Sequence, residues 1–233
     1  MSIDGLFPHP VLYIHGIPIN DTVLQALLIV VVLGAFAIVT SRRYRAWGPR
    51  PWQLAVEYLV ETIENLIRDT AGRPLPELVP FLTTMILFIG VSNILGIFPL
   101  LQAPTRDLNT TMALSVVALG SWIYFGVRAN GLGGYLHTFI EPVFLMMPLN
   151  VLGYFSRLLS MTLRLFGNIV AAETIGAVLF ALVPVLGPLP LTLLGLITSV
   201  LQALVFTMLT FVFIVDAMGQ EEELADGTAR SAP

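Results

Sequence analysis

The stretch TLRLFGNIVAAE, residues 162–173, sets a permanent cation (Arg164), a carboxamide (Asn168) and a carboxylate (Glu173) inside an otherwise apolar run. A charge at bilayer depth costs from roughly 2.5 to more than 10 kcal/mol, depending on snorkelling and recruited water. Each ionisable group here therefore needs compensation. Arginine stays protonated in proteins, so Arg164 cannot hand on a proton. It can hold a carboxylate ionised and interrupt a continuous proton wire. A glutamate can carry protons, because its surroundings decide where it titrates.

On a helix turning about 100° per residue, Arg157, Ser160, Arg164, Asn168 and Ala171 share one stripe, with Ser156 at its margin. Glu173 falls on the opposite side. Such a separation of fixed cation and titratable acid suggests two aqueous routes divided by an electrostatic barrier. The plainer reading, a structural Arg164–Glu173 pair, conflicts with that half-turn of phase. No internal carboxylate faces Arg164, so its partner is expected on another subunit. Further along, Ser199, Gln202 and Thr210 add polar groups. Asn168 and Gln202 also suit interhelical glue, and Arg157 lies where it can snorkel. His9, His15 and His137 show no metal-ligand spacing, and neither a phosphate loop nor a Ser/His/Asp arrangement occurs. No metal, cofactor or nucleic acid is expected.

These groups need a membrane scaffold. Only 11% of the 233 residues are charged and 56% are hydrophobic, with mean hydropathy +0.87. Soluble domains carry about 25% charged residues. The composition predicts an all-α polytopic membrane protein. With no cysteines, disulfides and thiolate metal sites are excluded. The first 21 residues lack the basic region of a secretory signal and read as an external N-terminus.

A first span covers 22–41, followed by Arg42, Arg43, Arg45 and Arg50, which the positive-inside rule places in the cytoplasm. Residues 51–72 put Glu57, Glu61, Glu64 and Arg68 on one face, opposite Trp52, Val56, Leu59, Ile63 and Ile67. That pattern predicts an amphipathic helix in the interface or against a partner at the membrane surface. Spans follow at 78–101 and 110–128, joined by an external turn with one arginine, Arg106. The apolar run 143–183 would reach about 60 Å as one helix, twice the hydrocarbon thickness. It either hides a turn or lies strongly tilted against protein. With 189–217 it forms a long tilted hairpin, and 218–233 is an acidic, irregular cytoplasmic tail. The expected sum is about five membrane helices plus one interfacial helix.

LRLFGNIVAAE, followed about thirty residues later by VLQALVFTMLT, resembles subunit a of F-type rotary ATP synthases. The likeness extends through INDTVLQALLIVV, FPLLQAPTRDLNTT and PLNVLGYFSRLLSMTLRLFGN. It implies that Arg164 is the stator arginine facing the carboxylates of a rotor ring of c-type subunits. Asn168 and Glu173 would line the ion path, and Gln202 would be the helix-six glutamine. Ser156, Arg157 and Ser160 match the polar stripe toward the cytoplasm, and Asn109 an asparagine of the external half-channel; Ser199 is a further candidate lining residue. Relatives often carry an acid where Gly153 and Tyr154 stand, a proline at Leu158, and a histidine or acid at Gly195.

The resemblance thus implies a non-catalytic subunit in the bacterial inner membrane, N-terminus outside and C-terminus in the cytoplasm. Its partners would be the ring, b-type peripheral-stalk subunits and the lipid bilayer, with H+ or Na+ as the transported ion. A stand-alone secondary ion or anion transporter is the rival reading, but such proteins show paired repeats and none is evident. A purely structural anchor would have no reason to tolerate Arg164 and Glu173.

Overall fold

The computed structural model describes residues 10–14, 17–43, 51–96, 103–140, 147–182 and 188–230. The expected Arg45–Arg50 end of the first basic cluster, the last residues of the 78–101 span and the break at 183–187 lie outside these. A two-stranded antiparallel ribbon comes first, β1 (Pro10–Ile14) and β2 (Ile17–Asn20), with Ile14 opposite Ile17 and Leu12 opposite Ile19. The rest is helical: α1 (Asp21–Arg42), α2 (Pro51–Ala71), α3 (Val79–Leu95), a 3-10 turn (Pro104–Arg106), α4 (Leu108–Ile140), α5 (Met147–Leu182) and α6 (Pro188–Arg230).

Among the described residues, four helical stretches are long and apolar enough to cross a membrane: Asp21–Arg42, Leu108–Gly134, Pro148–Leu182 and Thr192–Met218. Large apolar side chains cover their surfaces, among them Leu27, Leu28 and Val31 on α1, Leu163 and Phe155 on α5, and Leu193 and Ile197 on α6. In water such patches would drive association. In a helix that satisfies its own backbone they suit lipid. The protein is therefore an all-α, multi-pass membrane protein with one small ribbon at its start.

Two compact units make up the chain: residues 1–110 with 165–207, and residues 111–164 with 208–233. In the first, α1 carries Asp21 in its opening turn and Arg42 in its last, each complementing the helix dipole. Helix α2 buries Ile63 and Ile67 and exposes Glu61, Glu64 and Arg68. Along it Gln53 donates to Glu57 (2.9 Å) and Arg68 pairs with Glu64 (3.4 Å). Gly72 follows the helix at φ 68°, a left-handed conformation that favours glycine. Helix α3 buries Leu82, Met85, Ile89, Ser92 and Asn93, spaced by three or four residues as one inward face requires. After it, a Cβ on Gly96 would lie 2.6 Å from the Ala103 Cβ. Only glycine admits the turn that closely.

In the second unit, α4 continues beyond the expected end at 128 and kinks at Gly131 (φ 70°, ψ 163°). Trp122 is buried there, with its ring edge-on to Phe213 at 4.6 Å. Asn130 donates to the Ala217 carbonyl (2.9 Å), tying the later part of α4, just before its kink, to the end of the apolar part of α6.

Helix α5 runs unbroken for 36 residues, about 54 Å at 1.5 Å per residue. It hides no turn. The tail departs from expectation: α6 remains helical to Arg230. Glu221, Glu222, Glu223, Leu224 and Ala225 are good helix formers, and the existing helix ahead of them removes the nucleation cost.

Candidate ion-path residues

In the first unit a network of polar side chains gathers around the Ala103–Asp107 turn. Asp107 sits one residue before α4, and its Oδ1 accepts the Asn109 backbone N–H (3.0 Å). This is the N-cap position, where a carboxylate meets an orphan donor and the positive end of the helix dipole. Its Oδ2 accepts Asn20 Nδ2 (3.1 Å) and Thr22 Oγ1 (2.9 Å). Thr22 and Asp107 are buried. One carboxylate thus ties the start of α1 to the start of α4.

On the other side of the turn, Thr105 Oγ1 donates to Asn93 Oδ1 (2.8 Å), and Asn93 Nδ2 reaches the Ser199 carbonyl (3.4 Å). Between them Arg106 points inward, only 8% exposed, and its Nε lies 3.3 Å from Glu173 Oε2. The Glu173 side chain is 27% exposed. A buried guanidinium is costly to desolvate, and an apposed carboxylate offsets that cost. Glu173 therefore has an internal cation, and that cation is Arg106, not Arg164.

Of the expected path residues, this unit holds Asn109, Asn168, Glu173, Ser199 and Gln202. Asn109 presents its side chain outward while its backbone N–H is capped, and Asn168 is half-buried. Ser199 contributes its carbonyl to Asn93. Gln202 is buried, and its Nε2 has no acceptor among the described residues. Buried donors of this kind are normally satisfied by protein or water.

The second unit holds Ser156, Arg157, Ser160 and Arg164. Arg157 is engaged: its Nη1 lies 3.6 Å from Asp216 Oδ2, and its guanidinium sits 4.5 Å from the Phe213 ring centre and 5.9 Å from that of Tyr154. Arg164 is exposed and has no ion pair among the described residues. Ser156 and Ser160 are exposed too, whereas Leu158, Met161, Thr162 and Leu165 turn inward. At 3.6 residues per turn, the Arg164 stripe lies about a third of a turn round from that buried face.

Arg106, Asp107, Asn93 and Thr105 were not singled out as path residues from the sequence. Asp107 had a legible signal, an acid immediately before an apolar helix. Arg106 had a weaker one, a lone arginine in a short turn between apolar runs. No group of three or more His, Cys, Asp or Glu side chains able to hold a metal occurs among the described residues.

Long apolar helices and buried polar contacts between their ends define a polytopic membrane protein. The chain matches the ATP synthase A chain family over residues 22–215. It is 35% identical to ATP synthase subunit a 1 of Crocosphaera subtropica over 88% of this chain and 90% of that one. It is 30% identical to ATP synthase subunit a of Legionella pneumophila over 97% and 99%. With the chloroplastic subunit a of Oedogonium cardiacum the identity is 41% over 81% and 79%. The chain belongs to the ATP synthase A chain family. As such it is a non-catalytic membrane subunit in ion transport coupled to ATP synthesis.

Proposed function

We propose that this chain is the stator of the membrane sector, passing ions to and from rotor-ring carboxylates through two half-channels. The observation that carries the reading is Arg164. It is a permanent cation on the exposed side of an apolar helix, without an ion pair among the described residues. A charge so placed in a bilayer calls for an anionic partner from another chain, and a rotor carboxylate supplies one. The other two charges on α5, Arg157 and Glu173, already have partners within the chain.

In this reading an ion enters one half-channel and neutralises a rotor carboxylate, which moves into lipid. After nearly a full turn the ion leaves by the other half-channel as Arg164 takes the carboxylate back. Glu173 lines the outer path, with Asn109, Asn168, Ser199 and Gln202 as further lining groups. Ser156, Arg157 and Ser160 lie toward the inner path. The transported ion is H+ or Na+, and the ring and b-type stalk subunits are the partners. A membrane potential supplies about 2.3 kcal/mol per charge per 100 mV, so each ATP requires several ions.

The proposed topology has five crossings in the bacterial inner membrane, with the N-terminus outside, α2 at the surface and α5 and α6 as a tilted hairpin. At 17 residues, α3 is at the short end of the range for a crossing helix. Two contacts support the orientation. Asp107 joins the starts of α1 and α4, which parity puts on the outer side. Asn130 joins the late part of α4 to α6 at Ala217, near Arg128, which the positive-inside rule assigns to the cytoplasmic side. Replacement of Arg164 by alanine in the reconstituted complex, read as ion-driven ATP synthesis, tests the function.

A further inference from the structure

We infer that Arg106 is a positioning residue of the outer ion path, acting on the transported ion through Glu173. The inference rests on Glu173 lining that path. Arg106 is almost wholly buried, and its guanidinium Nε lies 3.3 Å from the Glu173 carboxylate, which keeps partial exposure. The turn that carries it is anchored on both sides in sequence. Asp107 is bonded to Asn20, Thr22 and the Asn109 N–H, and Thr105 to Asn93, which in turn reaches the Ser199 carbonyl.

A glutamate carries three side-chain torsions, and ordering them costs entropy. A relay group that samples several rotamers presents its carboxylate to the incoming ion only part of the time. Arg106 removes that freedom. Its Nε edge, carried by the anchored turn, approaches the carboxylate at Oε2 and gives it one direction of contact, leaving the exposed side of Glu173 for the ion. Arginine is suited to the post because it never releases its own proton, so it orients the relay without short-circuiting it. Displacing a relay group by about 1 Å can cost about 100-fold in rate. A loosened Glu173 is therefore expected to lose flux while the complex stays assembled.

The test uses the complete ATP synthase in proteoliposomes, with ring co-purification as the measure of assembly. Four variants are compared: R106Q, R106K, E173Q and R106Q/E173Q. Arg106→Gln should lower ion-driven synthesis about tenfold or more, and Arg106→Lys should recover part of it, the carboxylate regaining a cation but not the fork. Because Arg106 acts through Glu173, the double variant should match E173Q within about twofold. A merely structural pair would instead raise the double variant well above E173Q, because E173Q alone leaves the buried guanidinium without its carboxylate.

If R106Q fails to assemble, because the half-buried carboxylate is left without its cation, the double variant removes both charges and carries the test alone. Equality with E173Q then supports the inference; a rate well above or below it, or failure to assemble where E173Q assembles, overturns it. Normal flux in R106Q beside slow flux in E173Q overturns the role of Arg106 alone. Normal flux in E173Q overturns the placing of Glu173 in the path, whatever Arg106 does.

Discussion

Asp107→Ala should be the most damaging single change to the turn that carries Arg106, and the structure sets the size of its effect. The wild-type carboxylate accepts an N-cap bond from Asn109, worth about 1 kcal/mol. It also accepts the buried Thr22 hydroxyl and the half-buried Asn20 amide. Removing the acceptor leaves those donors orphaned, at about 1–3 kcal/mol each. The sum is about 3–7 kcal/mol. Removing one donor instead is milder, because Asp107 keeps its other partners: Thr22→Val and Asn20→Ala should each cost about 1 kcal/mol. At about 2–4 °C per kcal/mol for a chain of this size, Asp107→Ala should lower the unfolding temperature by about 6 °C or more. The donor variants should lower it by about 2–4 °C. Thermal unfolding of the purified full chain in detergent, followed by circular dichroism, measures all three. An Asp107→Ala shift no larger than that of Thr22→Val would refute the idea of one acceptor serving several buried donors.

Gly96→Ala should disturb the same turn, since its Cβ would stand 2.6 Å from that of Ala103; overpacking costs about 1–3 kcal/mol, visible in the same melts. Gly34→Ala, where a Cβ meets nothing within 4 Å, is the control and should not destabilise. Arg157→Ala should cost only about 1 kcal/mol, because its pair with Asp216 is largely exposed and its main packing is against Phe213. A loss comparable to that of Asp107→Ala, in equivalent melts, would show a tighter role for that pair.

How far the sequence reached depends on how local each signal is. Helix α1 was legible to within a residue or so at each end, because an uninterrupted apolar run bounded by Asp21 and Arg42 admits little else. The pattern of α2 was equally plain: the side chains at Ile63 and Ile67 are buried and those at Glu61 and Glu64 exposed. The length of the run around Arg164 left a hidden turn open, and only the structure shows α5 continuous through it. The phase argument that separated Arg164 from Glu173 needed nothing but helical geometry. The partner of Glu173 could not be found that way. Arg106 stands far from it in sequence, and their meeting depends on how the α3–α4 turn packs, which periodicity does not encode. In the tail, charge density points to irregular chain, but the helix propensity of its glutamates and alanines prevails.

The central claim is that Arg164 is the stator charge on which coupling depends. Its most direct test is the complete complex carrying Arg164→Ala, reconstituted in vesicles, with ATP synthesis and passive ion leak followed together under an imposed potential and ion gradient. Loss of synthesis to background with leak retained or raised is the predicted result, because the barrier between the two half-channels is removed while the channels remain. Synthesis at the wild-type rate, with leak unchanged, would contradict it.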